Sequence, residues 1–280
     1  MLESEDMVQK DQHIMIDEKV INRMIALADI KRGDIILEIG AGSGMLTKTL
    51  VKKGANIIAV EVDKRFKEEL EGIKAENLKL IFANALEVID SLKFNKIIAN
   101  IPYSICEPLI NKLFRKNFDI VVLTVPENFY KILSAKPQDR FYSLLTIKAN
   151  SFFKISFAFK VDKNTFIPPP KTESVVITLS CLSKEDYEKA FEKFILREIF
   201  LQRKKKLKNA LMEAIINMQK QIFSRPFTKN MARKMIREMA FNTSLLEKRS
   251  ENLTFNEVIE IIEKLRILRV EETLQPLHQQ

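Results

Sequence analysis

The chain has 280 residues, 46% of them hydrophobic, with 46 Lys and Arg against 37 Asp and Glu for a formal charge of +9. No apolar run approaches the ~20 residues of a membrane span. The acidic, polar segment 1–12 is unlike a signal peptide, and two unpatterned cysteines, Cys106 and Cys181, support no disulfide framework. A cytoplasmic protein is therefore expected. With only His13 and His278, neither a His-rich zinc site nor a Ser-His-Asp arrangement can be built, and no metal is expected. The length allows one large domain or a large one with a smaller companion.

Along the first part of the chain, apolar strand-like runs at 35–39, 56–60, 78–82, 96–99 and 120–125 alternate with helical patterns such as 45–53, 64–73 and 107–115. Strands alternating with helices of that length predict βαβ units and a parallel sheet. Three of the six glycines fall in Glu38-Ile39-Gly40-Ala41-Gly42-Ser43-Gly44, between the first strand and a helix. Such a loop lets backbone turn tightly and lets a ligand approach closely. The second strand ends in Val60-Glu61-Val62-Asp63, about twenty residues on, where an acid is placed to accept both hydroxyls of a ribose. The spacing is not the G-x-G-x-x-G of dinucleotide binders, and no phosphate-gripping Lys-Ser/Thr loop is present. S-adenosylmethionine has no phosphate to hold and fits this loop better than a nicotinamide dinucleotide. Without the loop, Glu61 reads as an ordinary surface acid.

The strand at 96–99 leaves through Asn100-Ile101-Pro102-Tyr103. Taken alone, this tetrad reads as a turn as readily as a site, since Asn and Pro are turn formers and Pro pushes its predecessor to an extended conformation. Two further strands are expected at 152–159 and 174–179. They are joined by Phe166-Ile167-Pro168-Pro169-Pro170 with no helix between them, which predicts an antiparallel pair ending the sheet. Beyond Ser180 strand-like runs vanish and helical periodicity fills 184–217, 229–239 and 254–268. The expected division is an α/β domain over 1–182 and a helical, basic domain over 183–280. Between Arg197 and Arg237 twelve Lys/Arg stand against two acids, 12 − 2 = +10. That imbalance is the footprint of a polyanion partner, although a solvated basic face would look the same.

With these motifs the sequence resembles the rRNA adenine N6,N6-dimethyltransferases, the kasugamycin-sensitivity enzymes of small-subunit ribosomes. The residues that carry the likeness are Asp11-Gln12-His13-Ile14-Met15-Ile16-Asp17, the glycine loop, Glu61-Val62-Asp63, Asn100 to Tyr103, and Phe166 to Lys171 with Ser174. They continue with "QRKKKLKNAL" at 202–211 and the segment 249–253. The resemblance implies a Rossmann-like α/β methyltransferase domain with a mostly parallel sheet and an antiparallel end, followed by a smaller all-helical domain. It implies S-adenosylmethionine as cofactor, S-adenosylhomocysteine as product, and a monomer acting on adenosines near the 3′ end of small-subunit rRNA in the precursor small subunit. His13 and Met15 are implied to close over the cofactor, Gly40 and Gly42 to lie by its amino-acid end, and Glu61 to meet the ribose. Asn100, Ile101, Pro102 and Tyr103 are implied to form the catalytic tetrad, with Asn100 bordering cofactor and substrate. Arg203, Lys204, Lys205, Lys206, Lys208 and Arg249 are implied to contact RNA.

The chain also departs from that family. Asn84 stands where an acid usually accepts from the adenine amino group, so weaker cofactor binding is expected. Ile14-Met15 replaces the usual Phe-Leu, and Tyr142-Ser143-Leu144-Leu145 replaces Tyr-Gly-Arg-Leu. Two other readings stay open: a macrolide-resistance-type methyltransferase of large-subunit rRNA, and a non-catalytic ribosome-assembly factor on the same fold.

Overall fold

A computed structural model describes residues 12–274, with side chains as far as residue 266; Asp11 and His278 lie outside the described residues. The chain forms two compact units. One comprises residues up to Ser134 together with Lys154–Cys181; the other comprises Ala135–Phe153 and everything from Leu182 onward. The chain thus crosses between units three times, not once near 182 as expected. The reason lies in 135–153, which has no strand-like alternation. Its helix buries Ile147 among the second unit's helices, with Tyr142 and Leu144 packed at the edge of the same core.

The first unit opens with β1 (Ile14–Met15) and α1 (Glu18–Leu27), and Asp17 caps α1 by accepting from the amides of Lys19 and Val20. It continues with β2 (Ile35–Ile39), α2 (Met45–Leu50), β3 (Asn56–Glu61), α3 (Lys67–Glu71), β4 (Leu78–Phe82), α4 (Ala85–Val88), β5 (Lys96–Asn100), α5 (Cys106–Leu113), β6 (Ile120–Pro126) and α6 (Glu127–Leu133). After α7 (Leu144–Phe152), which belongs to the second unit, come β7 (Phe153–Val161), β8 (Phe166–Ile167) and β9 (Ser174–Cys181). Seven strands form one sheet in the order β4-β3-β2-β5-β6-β9-β7. The strands β4, β3, β2, β5 and β6 run parallel, and their near-continuous apolar runs suit a sheet covered on both faces. The sheet has an antiparallel end, as expected, but the antiparallel partner of β9 is β6, Leu123 opposite Ile177, with β7 beside β9 at the edge.

Two features of the first unit were not expected from sequence. Phe166–Ile167 is not a bare connection. It pairs with β1 as a separate antiparallel ribbon, Ile14 opposite Ile167 and Met15 opposite Phe166. Lys96, at the start of a core strand, is buried and satisfied: its Nζ meets Asp34 Oδ2 at 2.7 Å and donates to the Asp29 carbonyl at 2.7 Å.

The second unit adds α8 (Lys184–Lys189), α9 (Phe191–Leu201), α10 (Leu207–Gln221), α11 (Lys229–Glu238), α12 (Thr243–Glu247) and α13 (Phe255–Leu274) to α7. Its core is apolar, with Phe194, Ile199, Leu207, Leu211, Ile215 and Leu265 buried together. Among the described residues no helix is long and apolar enough to cross a membrane.

Candidate active site

Reading outward from β2, the strand order reverses between β2 and β5. Ligands of doubly wound sheets bind at such a switch point, beyond the carboxyl ends of the strands. Here those ends carry the glycine loop after β2 and the Asn100 tetrad at the end of β5. A cavity of about 560 Å³ opens there, and His13, Met15, Gly40, Gly42, Glu61, Asn84 and Asn100 to Tyr103 all line it. Every residue expected to meet cofactor or target base is therefore at one place, although they come from five parts of the chain.

The loop is built for close approach. Gly40 (φ 73°), Gly42 (φ 52°) and Gly44 (φ 76°) all take left-handed backbone, which L side chains rarely adopt. A Cβ on Gly44 would fall 2.7 Å from Ile73 Cδ1, and one on Gly40 would lie 3.5 Å from the Asn100 carbonyl. The glycines therefore let the loop lie flat against α3 and against the tetrad at once.

Glu61 is buried, and its carboxylate is already engaged. Oε2 accepts from the Gly42 amide at 2.7 Å, and Oε1 accepts from the amides of Val62 and Asp63, each at 2.8 Å. A carboxylate has about four lone-pair positions, so one acceptor position remains on Oε2. Burial pushes its pKa upward, while these three amides pull the other way. Glu61 is thus both the organiser of the loop and an acceptor facing the cavity.

Glu38 escaped the sequence reading and belongs to the site. It lines the cavity, is fully buried in β2, and accepts from Thr47 Oγ1 at 2.7 Å. Burial pushes its pKa to about 8, against the opposing Thr47 bond and with help from the nearby Glu61 charge. The fold therefore favours the protonated form of Glu38 beside Glu61. The signal was available: an acid inside the apolar run Ile35-Ile36-Leu37-Glu38-Ile39 is costly unless it has a partner or gives up its charge.

The tetrad is held by partners distant in sequence. Asn100 Nδ2 donates to the His13 carbonyl at 2.7 Å, which leaves Oδ1 as the side chain's acceptor. His13 Nδ1 lies 2.8 Å from the Pro168 carbonyl, and its ring stands 5.5 Å from that of Tyr103. Tyr103, half-buried, shares a hydrogen bond between its hydroxyl and the buried Ser174 Oγ on β9. Ile101 is buried, and Pro102 sits extended at φ −55°, ψ 139°. The ribbon β1–β8 thus fastens the segment before the fold onto the tetrad. Met15 is buried beneath it, and Ile14 Cγ1 would lie 3.9 Å from a Cβ on Gly42.

Asn84 is exposed at the rim. Its Oδ1 accepts from the Leu86 amide at 3.0 Å and caps α4, while Nδ2 donates to Glu87 at 3.3 Å. Asn84 thus caps α4 without charge. Ser143, in the other departing segment, caps α7 through a reciprocal bond pair with Thr146, and Tyr142 packs edge-on against Phe255.

The basic residues lie in the second unit. Lys205 pairs with Glu213, Lys206 with Glu247 at 2.7 Å, Lys208 with the same Glu247, and Arg203 approaches Glu251 at 3.8 Å. Lys204 and Arg249 make no ion pair among the described residues.

A profile of the family described as ribosomal RNA adenine dimethylase matches residues 7–250. A protein of Methanopyrus kandleri named probable ribosomal RNA small subunit methyltransferase A is 35% identical over 206 residues, 72% of this chain and 74% of that one. A protein of the same name from Pyrococcus furiosus is 31% identical over 91% of this chain and 90% of its own. Among solved structures, a dimethyladenosine transferase from Plasmodium falciparum superposes with a TM-score of 0.60 at 28% identity, covering 91% of this chain and 98% of that one. The 23S rRNA methyltransferase ErmE, at 18% identity and a TM-score of 0.54, shares the fold.

Proposed function

Because the chain belongs to the ribosomal RNA adenine dimethylase family, we propose that its substrate is small-subunit rRNA within the precursor small subunit. As an rRNA adenine dimethyltransferase it methylates N6 of adenosines, which we place near the 3′ end of that RNA. The reaction takes place in the cytoplasm, with the protein acting as a monomer and without a metal. The observation that carries this reading is the orientation of Asn100, whose Nδ2 is tied to the His13 carbonyl so that Oδ1 is left to accept at the switch point.

The flat left-handed glycine loop, the buried acid at the end of β3 and the cavity between them fit S-adenosylmethionine. Gly40 and Gly42 give clearance to its amino-acid end, Glu61 anchors the ribose, Asn84 meets the adenine edge, and His13 and Met15 cover it. When bound, the cofactor supplies an electrophilic methyl group and leaves as S-adenosylhomocysteine. The residues of this chain do the rest. An adenine N6 amine is a poor nucleophile because its lone pair is delocalised into the ring. Asn100 Oδ1 and the Ile101 carbonyl accept its two hydrogens, and nitrogen moves toward tetrahedral geometry. Both bonds strengthen as positive charge develops on nitrogen, which is stabilisation by preorganised dipoles. Pro102 locks the backbone that aims the Ile101 carbonyl. Tyr103 offers its ring to a base extruded from its stack. The nitrogen loses its proton to solvent after the C–N bond forms, so no side chain need act as a base during transfer. Arg203, Lys204, Lys205, Lys206, Lys208 and Arg249 face the RNA backbone.

The test is single-turnover transfer from labelled S-adenosylmethionine to precursor small subunits, with mass spectrometry of the digested rRNA. N6,N6-dimethyladenosine confined to small-subunit rRNA is expected. Label appearing only in large-subunit rRNA would move the reading to the macrolide-resistance type, and binding without transfer would make the protein an assembly factor.

A further inference from the structure

The lysine-rich run and α11 are both basic, but the fold treats them differently. Around Lys205, Lys206 and Lys208 it gathers Glu213 and Glu247, and Lys206 and Lys208 hold the Glu247 carboxyl down at about 2. Glu247 and Glu251 come from beyond the 197–237 stretch, so the charge excess there is largely cancelled at its dense end.

On α11 no such cancellation occurs. The helix, Lys-Asn-Met-Ala-Arg-Lys-Met-Ile-Arg-Glu, buries Ala232 and Ile236, and Thr228 caps it by accepting from the Met231 amide. Lys229, Arg233 and Arg237 are all exposed and recur every four residues, so they form one row along the helix. At 1.5 Å per residue the row places a cation about every 6 Å over roughly 12 Å. None of the three makes an ion pair among the described residues. The helix's one acid, Glu238, lies 3.9 Å from Lys234 instead. Like charges four apart destabilise a helix, and Lys229 sits at the end where the helix dipole already disfavours a cation. The row is therefore a cost to α11 that a polyanion removes. Two of the three are arginines, whose planar forks grip phosphate oxygens in pairs.

We propose that Lys229, Arg233 and Arg237 form a phosphate-binding surface of the second unit, additional to the 203–208 run. The proposal rests on the rRNA reading above and names where that RNA is held. A solvated basic face with no partner is the competing account.

The full chain and two variants, Lys229→Gln/Arg233→Gln/Arg237→Gln and Lys205→Gln/Lys206→Gln/Lys208→Gln, are titrated with deproteinised small-subunit rRNA across a salt series. Their unfolding midpoints are checked in parallel. Each phosphate contact adds about −0.7 to −0.9 to the slope of log affinity against log salt, so the α11 variant should lose roughly 2 to 3 units of slope. The second variant serves as the comparison for slope lost at the 203–208 run. A folded α11 variant with the wild-type slope overturns the proposal alone. Failure of the unmutated chain to bind rRNA overturns the rRNA reading and this proposal with it. Loss of binding to phosphatidylserine vesicles with rRNA binding intact would give the row to a lipid surface and equally overturn it.

Discussion

Asn100 to Tyr103 and Arg203 to Lys208 are the two most conspicuous short segments in the sequence, and the fold uses them in opposite ways. The tetrad is fastened by groups far along the chain: the His13 carbonyl on Asn100 and Ser174 on Tyr103. The first bond engages the amide nitrogen and leaves Oδ1 as the acceptor of a residue that lines the cavity. The lysines are met by Glu213 and Glu247, which offset part of their charge. What separates a site from a satisfied surface is the bonding capacity that remains after the fold has made its own contacts, more than residue type.

The strongest way to break this comparison is Asn100→Ala. Losing one preorganised acceptor should lower the single-turnover rate of methyl transfer by about 10²- to 10³-fold, with folding and RNA binding retained. Asn100→Asp should also lose most activity, because a carboxylate cannot donate to the His13 carbonyl. Near-normal rates in a folded Asn100→Ala protein would reduce the tetrad to a turn.

Glu61→Gln comes next. The amide keeps the side chain's volume but has a single oxygen to serve the amides of Gly42, Val62 and Asp63. Affinity for S-adenosylmethionine measured by calorimetry should fall at least several-fold, and an unchanged value in a folded variant would remove Glu61 from the cofactor site.

A third test exploits the raised pKa of Glu38. Glu38 has an ordinary value of 4.5 and a folded one of about 8. Between those values the folded state therefore holds more protons than the unfolded, and stability falls as pH rises, by up to ~1.4 kcal/mol per pH unit. Glu38→Gln deletes that dependence. Its unfolding midpoint should vary less than the parent's between pH 5 and 8 on the scale set by those two values, and parallel curves would show that Glu38 is ionised in the folded chain.

The smallest effect belongs to the paired lysines. Glu247 is depressed to about 2, so its stabilisation is present above the ordinary carboxylate value and is lost as pH falls through the folded one. The pairs are solvent-exposed, where ion pairs contribute little. Lys206→Gln/Lys208→Gln should therefore leave the neutral-pH unfolding midpoint within experimental error of the parent. A clear drop would mean that these lysines serve the fold itself.

Much of the catalytic fold was legible in the chain. The core strands, the glycine loop and the antiparallel end follow from apolar runs, glycine spacing and a helix-free connection, all of which act over a few residues. The ribbon β1–β8 was invisible, because two residues per strand form no pattern and the pairing joins positions about 150 apart. Residues 135–153 were assigned to the wrong unit for a related reason: a short helix does not declare which core its buried face will join.

By itself the sequence determined which groups were available: an amide before a proline, an acid at a strand end, three glycines in seven residues and a basic stretch in a helical half. Tertiary structure alone decided how those groups are spent. It oriented Asn100 through His13, filled three positions on Glu61 with backbone amides, and buried Glu38, which raises its pKa. It also brought Glu247 to the lysines while leaving Lys229, Arg233 and Arg237 without an acid. Charge and hydrogen-bonding capacity are properties of residues, but how much of either remains for a partner depends on neighbours that only the folded chain supplies.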